Sequence, residues 1–378
     1  MASKVSVIMA VYNAEAFLNE TLDCVLNQTL REIEVICVDD GSTDASLTIL
    51  NARAERDSRM TVVAQKNATA GAARNEGMRR ATGKYLSFLD ADDRFEEDML
   101  EVAFEACERE RAEVGVFRCD MFDDRTGKTA SGAWALRDEF LPERQPFSWR
   151  DMPDRLFFAF VGWAWDKLFL RDFVRKNELR FQALRTTNDM CFVFSALASA
   201  DRIITIDRVL AHQRRRAEGS LSVTREHSWS CFHDALDALG DFLKARGVYP
   251  ALERGYLNYC VHFSLWNLNS IFGEAYARLY DAIRNDYFPA WRIADFPDVF
   301  FMNRGEIAQA RRILEMPFSS YAASMINGAR REAASARGTA DSGEAQSLRA
   351  ELDAVKNSAS FRIGRAITYL PRLLRKRT

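Results

Sequence analysis

Three carboxylates fall within four residues at the end of an apolar stretch, Lys84-Tyr85-Leu86-Ser87-Phe88-Leu89-Asp90-Ala91-Asp92-Asp93. Carboxylates packed this closely repel one another and call for a cation. On a strand, Asp90 and Asp92 point to the same side, and hard oxygen ligands of this kind suit Mg²⁺ or Mn²⁺ carrying substrate phosphates. The same residues could instead cap a helix beginning near Glu96, because Asp is a preferred N-terminal cap. The company they keep favours the metal. Asp39 and Asp40 end a second apolar run in Val38-Asp39-Asp40-Gly41-Ser42-Thr43-Asp44, and Asp189 stands in Thr187-Asn188-Asp189-Met190-Cys191-Phe192.

Such groups need a scaffold that brings them to one place. Val5 to Val11 reads as a buried strand ending at Tyr12-Asn13, and Ala14 to Gln28 carries apolar residues at helical spacing. Strands follow at Ile33–Val38, Met60–Ala64 and Tyr85–Leu89, separated by helices at Ala45–Arg56, from about Ala70 and from about Glu96. Alternation of short apolar strands with amphipathic helices predicts an α/β fold, a mostly parallel sheet flanked by helices, whose ligands bind at the carboxyl ends of the strands. Asn13, Asp39, Asp40, Asp90 and Asp92 would share that edge. The loop Gln65 to Gly77 joins them there; it is neither a Gly-Lys-Ser/Thr phosphate loop nor a three-glycine dinucleotide turn. A turn feeding a helix amino terminus still suits a diphosphate, with Arg74 able to pair with it, although an Arg on a solvated helix face would look the same.

Taken together, Val5 to Asn13, Val38 to Asp44, Gly71-Ala72-Ala73-Arg74-Asn75-Glu76-Gly77 and Phe88 to Asp93 resemble, in order, the motifs of an inverting family 2 glycosyltransferase with the GT-A (Rossmann-like) fold. The resemblance implies a nucleotide-sugar donor, usually a UDP-sugar, and Mn²⁺ or Mg²⁺. It implies that Asp39 or Asp40 holds the base, that Asp90 and Asp92 hold ribose and metal with Asp93 beside them, and that Val11, Asn13, Glu15 and Arg74 complete the donor site. Later segments resemble the bacterial surface-polysaccharide branch: Gly162-Trp163-Ala164-Trp165-Asp166-Lys167-Leu168-Phe169, then Asn188-Asp189, then His212-Gln213-Arg214-Arg215-Arg216 before Gly219-Ser220. By that resemblance Trp163, Trp165, Asp166, Lys167 and Asn188 face the acceptor, Asp189 is the general base, and His212, Arg214, Arg216 and Ser220 belong to the diphosphate loop. Asp166 and Asn188 depart from the Asn and Glu common at those places.

The chemistry suits these residue types on its own terms. Inverting transfer needs a base for the acceptor hydroxyl and positive charge for the departing diphosphate. Asp189 could otherwise be a helix cap, since Phe192, Phe194 and Leu197 follow at helical spacing, and Trp163 and Trp165 could be core aromatics rather than a platform for a sugar ring.

Composition narrows the classes. A net charge of −2 over 378 residues, with no aromatic interleaving around Arg214-Arg215-Arg216, argues against nucleic acid. The four histidines lack metal-ligand spacing, and the seven scattered cysteines suggest reduced thiols and a cytoplasmic setting. The expected organisation is a catalytic domain over 1–227, with a nucleotide-sugar half to about 122 and an acceptor half over 123–227. A helical accessory region over 228–332, which supports the catalytic domain or forms a homo-oligomer, then precedes a small-residue linker over 333–343 and a basic amphipathic tail over 344–378. No apolar run reaches the roughly 18–20 residues of a spanning helix. The tail's Ser360 to Arg377, with six basic residues and no acid, reads as a reversible anchor to anionic membrane, where a polyprenyl-linked or glycan acceptor would be met. A catalytically idle nucleotide-sugar-binding or scaffolding subunit of the same fold is the competing reading.

Overall fold

In the computed structural model, residues 3–215 and 225–338 are described. The strands are β1 (Val5–Val11), β2 (Ile33–Asp39), β3 (Met60–Ala64), β4 (Tyr85–Asp90), β5 (Arg94–Phe95), β6 (Val114–Asp123), β7 (Lys128–Ser131), β8 (Lys167–Leu170) and β9 (Ile203–Arg214). They form one nine-stranded sheet in the order β3-β2-β1-β4-β8-β6-β9-β5, with β7 on β6. The first four neighbours pair in parallel and the centre turns antiparallel at β8. Helices α1 (Leu18–Leu26), α2 (Ser46–Ala54), α3 (Ala70–Arg80), α4 (Met99–Glu110), α5 (Leu156–Ala159), α6 (Arg171–Lys176) and α7 (Met190–Leu197) accompany the sheet, and α8 (Cys231–Ala245), α9 (Tyr249–Leu268), α10 (Gly273–Ala282), α11 (Phe288–Ala290), α12 (Arg304–Glu315) and α13 (Phe318–Gly338) follow.

The continuous apolar runs of β1, β2 and β4 arise because helices cover both faces of a parallel sheet, leaving no strand position for solvent. Val5, Val7, Met9 and Val11 of β1 pack into one core with Leu22 and Val25 of α1 and Leu89 of β4. Register then decides what lies at the edge. Val11 pairs with Asp39, Asp39 with Ala64, and Ala10 with Asp90, so the ends of β1, β2, β3 and β4 align.

Among the described residues, packing gathers 3–215 and 234–256 into one unit and 225–233 and 257–338 into a second. The expected boundary at 228 therefore moves. Residues 234–256 belong with the sheet because Arg254 pairs with Asp154 at 2.5 Å and Tyr256 lies edge-on to Phe157. The expected linker also begins too early. α13 continues to Gly338 because Ala333, Ala334 and Ala336 are strong helix formers, so small residues there extend a helix. Arg216, Ser220, residues 339–343 of the linker and the tail lie outside the described residues.

Candidate active site

At the carboxyl end of β2, Asp39 and Asp40 face different duties. Asp39 is 2% exposed; its Oδ2 accepts the N–H groups of Gly41 and Ser42, both at 3.2 Å, while its Oδ1 is buried with no partner. A buried acceptor left unpaired is costly unless a ligand completes it. Asp40 has no such vacancy: Oδ1 accepts from Gln65 Nε2 at 2.7 Å and the Ala68 N–H at 2.8 Å, and Oδ2 accepts the Thr69 N–H at 2.9 Å. It folds the loop that leads into α3. Asn13 and Glu15 stitch the neighbouring loops, Asn13 Oδ1 accepting from the Thr43 N–H at 2.8 Å and Glu15 Oε2 from the Ala45 N–H at 2.8 Å. Val11 is fully buried beside them.

At the end of β4, Asp90 pairs with Arg74 at 2.6 Å. Asp92 is half-buried, and burial followed by repulsion from Asp90 pushes its carboxyl up to about 6. Asp93 turns inward, 2% exposed, with Oδ1 accepting the Arg214 N–H at 2.8 Å; burial and its two acidic neighbours raise it well above the usual carboxylate range. Among the described residues no three His, Cys, Asp or Glu side chains form a metal cage. Mg²⁺ and Mn²⁺ do not require one, since they are commonly held by one or two carboxylates together with substrate phosphates. The uncompensated charge at Asp92, next to Asp90, fits that ion; the inward-facing Asp93 fits it less well than expected.

The basic residues expected to face the diphosphate have other partners. Arg214 donates to the Asp92 carbonyl at 2.6 Å and to Glu20 at 2.6 Å, pairs with Asp124, and lies over the Phe17 and Phe122 rings. Its guanidinium locks the end of β9 to the carboxylate turn. His212 has both ring nitrogens against carboxylates, Asp120 at 2.6 Å and Glu96 at 2.9 Å.

On the facing side, Asp189 occupies the cap position of α7 yet its side chain makes no capping hydrogen bond. The helix-cap alternative thus lacks its bond. Loss of surrounding water raises Asp189 to about 6, with Arg74 opposing and Asp90 adding to the shift. What holds this segment is α3. Arg74 is 7% exposed, not solvated, and donates to Asn188 Oδ1 at 2.7 Å as well as to Asp90. Asn75 clasps the Phe181 backbone in both directions, at 2.8 and 2.9 Å. Gly71 lies so close that a Cβ there would meet the Gln182 carbonyl at 2.0 Å. One helix therefore positions Asp90 and the Asn188-Asp189 segment together. Gly71→Ala should cost about 1–3 kcal/mol of stability, the scale for overpacking, and lower turnover more than donor affinity; an unchanged melting temperature and unchanged kcat would show that the contact relaxes freely.

The aromatic residues divide similarly. Gly162 abuts Met190, where a Cβ would lie 2.9 Å from Cγ, so Trp163 follows directly on a residue touching Asp189's neighbour. Trp163 is half-buried, stacked on buried Trp165 (centroids 4.8 Å, 22°), with Trp134 edge-on at 5.1 Å and 46% exposed. Trp134 has no sequence signal beyond being aromatic; only the short helical turn Ala133–Ala135 after β7 delivers it. Asp166 and Lys167, expected at the acceptor, are 1% and 0% exposed. Lys167 Nζ donates to the Val161 and Trp163 carbonyls at 3.0 and 2.8 Å and to Asp166 at 2.6 Å, bracing the Trp163 turn from behind because a buried ammonium needs every donor satisfied.

A parallel half-sheet with carboxylates at its carboxyl edge, joined through antiparallel β8 to a mixed half and faced by a further carboxylate at the head of α7, is the arrangement of a glycosyltransferase of the GT-A type. Residues 6–165 match glycosyl transferase family 2. EpsH of Bacillus subtilis, provisionally named a glycosyltransferase, is 29% identical over 289 residues, covering 74% of this chain and 81% of that protein. S. aureus TarS residues 1–349, solved with UDP, has the same fold at 18% identity, with a TM-score of 0.56 over 82% of this chain and 90% of that one. The mannosyltransferase PcManGT from Pyrobaculum calidifontis, solved with GDP-Man and Mn²⁺, matches at 17% identity and a TM-score of 0.50 over 83% and 84%.

Proposed function

We propose that this glycosyltransferase is metal-dependent and inverting, moving a sugar from a UDP-sugar to a hydroxyl of a glycan or lipid-linked acceptor in bacterial surface polysaccharide synthesis. The observation that carries it is the Asp189 carboxylate, which is not spent on capping α7 and stands next to Asn188, held by α3 in the same network as Asp90. In this reading Asp39 Oδ1, which has no partner among the described residues, accepts a ring N–H of the base, and Asp90 meets the ribose. Asp92, with Asp90, would hold Mn²⁺ or Mg²⁺, which when bound neutralises charge on the leaving diphosphate. Asp189 takes the proton of the acceptor hydroxyl as its oxygen attacks the anomeric carbon on the side opposite the diphosphate, inverting that carbon. Trp163 and Trp134 offer the acceptor sugar an aromatic face. TarS has been solved with UDP and PcManGT with Mn²⁺, and both lend support.

A thermal-shift panel of nucleotide-sugars with Mn²⁺ tests the donor, because a ligand that binds only the folded chain raises its melting temperature with concentration. UDP-sugars should stabilise; stabilisation by GDP-sugars alone would refute the uridine reading. Asp39→Ala should weaken the UDP-sugar shift about tenfold in concentration, the scale of one charged hydrogen bond, whereas Asp40→Ala should lower the melting temperature of the free protein. Slow hydrolysis of the donor without acceptor separates an enzyme from an idle binding subunit.

Membrane association is proposed for Ser360 to Arg377, where the basic residues would each contribute about 1 kcal/mol near anionic lipid. Among the described residues no helix is long and apolar enough to cross a membrane. Flotation on anionic liposomes should require the tail; equal flotation of the full chain and a chain ending at Gly343, or none by either, rules the anchor out.

A further inference from the structure

We propose that the unit of residues 225–233 and 257–338 carries a second saccharide-binding site, built around Trp266 and using none of the residues assigned to transfer. A depression of about 300 Å³ is lined by Trp266, Leu265, His262, Ser270, Glu306 and Gln309, a size at the small end of ligand sites. Trp266 is 41% exposed although rings and a cation pack against it. Its indole lies parallel to Phe263 (5.5 Å, 3°), Phe263 lies parallel to Tyr259 (5.4 Å, 12°), and the Arg225 guanidinium sits 4.3 Å from the indole centroid. The exposed ring is thus set in one orientation before any ligand arrives, which lowers the ordering cost of stacking.

Beside this flat apolar surface stand polar groups suited to hydroxyls. Glu306 Oε1 pairs with His262 Nδ1 at 2.7 Å, and its second carboxylate oxygen is uncommitted among the described residues. Gln309 is fixed by the bond from its Nε2 to the Tyr321 hydroxyl at 3.0 Å, leaving its carbonyl oxygen as a positioned acceptor. A pyranose has both faces of this chemistry, axial C–H groups for an aromatic ring and hydroxyls around its rim. An acyl chain or an apolar protein surface would desolvate the His262–Glu306 pair with nothing in return. The mixture therefore selects a glycan over either of those.

The test is electrophoresis of the full chain in native gels containing a soluble α-glucan, β-glucan, galactomannan or glycol chitin. At least one should retard the wild type, and Trp266→Ala should weaken that retardation roughly tenfold in polysaccharide concentration, the scale for losing an aromatic anchor. Trp266→Phe, which keeps a ring, should retain part of it, with melting temperatures confirming that both variants fold. Retardation that falls with Trp163→Ala and not with Trp266→Ala would place the binding at the transfer site and overturn the proposal, so the two readings fail separately. Retardation by none of the four, retardation unaffected by Trp266→Ala, or binding to anionic vesicles that disappears with Trp266 would overturn the proposal.

Discussion

Asp189→Asn should bind donor as the wild type does and transfer sugar about 10²–10⁴-fold more slowly, the range for removing a positioned general base. Asn preserves the shape at the head of α7, and no capping hydrogen bond is lost because the Asp189 side chain makes none. The effect should fall on kcat. A second readout separates chemistry from damage. A base must be unprotonated, so wild-type activity should rise with pH through about 6, where burial holds this carboxyl, and level off above it. The residual activity of the variant should lack that limb. Full activity in Asp189→Asn would move the role elsewhere, and an unchanged acid limb would assign the ionisation to another group, with Asp92 the first alternative.

Asp92→Asn should abolish Mn²⁺-dependent donor binding while making the metal-free protein more stable. The two effects have one cause. Asp90, Asp92 and Asp93 crowd a strand end where Arg74 balances Asp90 and a backbone N–H serves Asp93, leaving Asp92 poorly compensated. Its carboxyl sits near 6 rather than at the usual 3.8, so the folded state binds the proton more tightly than the unfolded state. Asp92 thus opposes folding at pH values above its folded pKa, and this penalty fades as pH falls towards the ordinary carboxylate value. Neutralising the side chain should recover roughly 1–3 kcal/mol at pH 7.5, read as a higher melting temperature without metal. Wild type should gain the corresponding stability from Mn²⁺ and UDP-sugar together, and the variant should not. A variant that melts lower without metal, or still responds to Mn²⁺, would remove Asp92 from the metal site.

How far each result could be anticipated depends on the range of the interactions involved. The strands Val5–Val11 and Met60–Ala64 have the expected bounds, and β2, β4, α2 and α3 begin or end within a residue or two of expectation. Hydrophobic periodicity is local, and alternation of strand with helix leaves few topologies for a parallel half-sheet. That suffices to send Asp39, Asp40, Asp90 and Asp92 to one edge before any contact is known. It does not assign their duties. Asp39 and Asp40 are adjacent and chemically identical, and they differ only because Gln65, Ala68 and Thr69 return to satisfy Asp40 while Asp39 Oδ1 is left alone. Arg74 reads as a surface helix residue until Asn188, 114 positions away, packs over it. Lys167 looks like an acceptor-facing cation until the Val161–Trp163 turn closes on its ammonium. The residue types and the edge they occupy were thus determined by the sequence alone. Which atoms are satisfied within the protein, and which remain for a ligand, was decided only by tertiary packing, because burial and long-range hydrogen bonds have no local period to betray them.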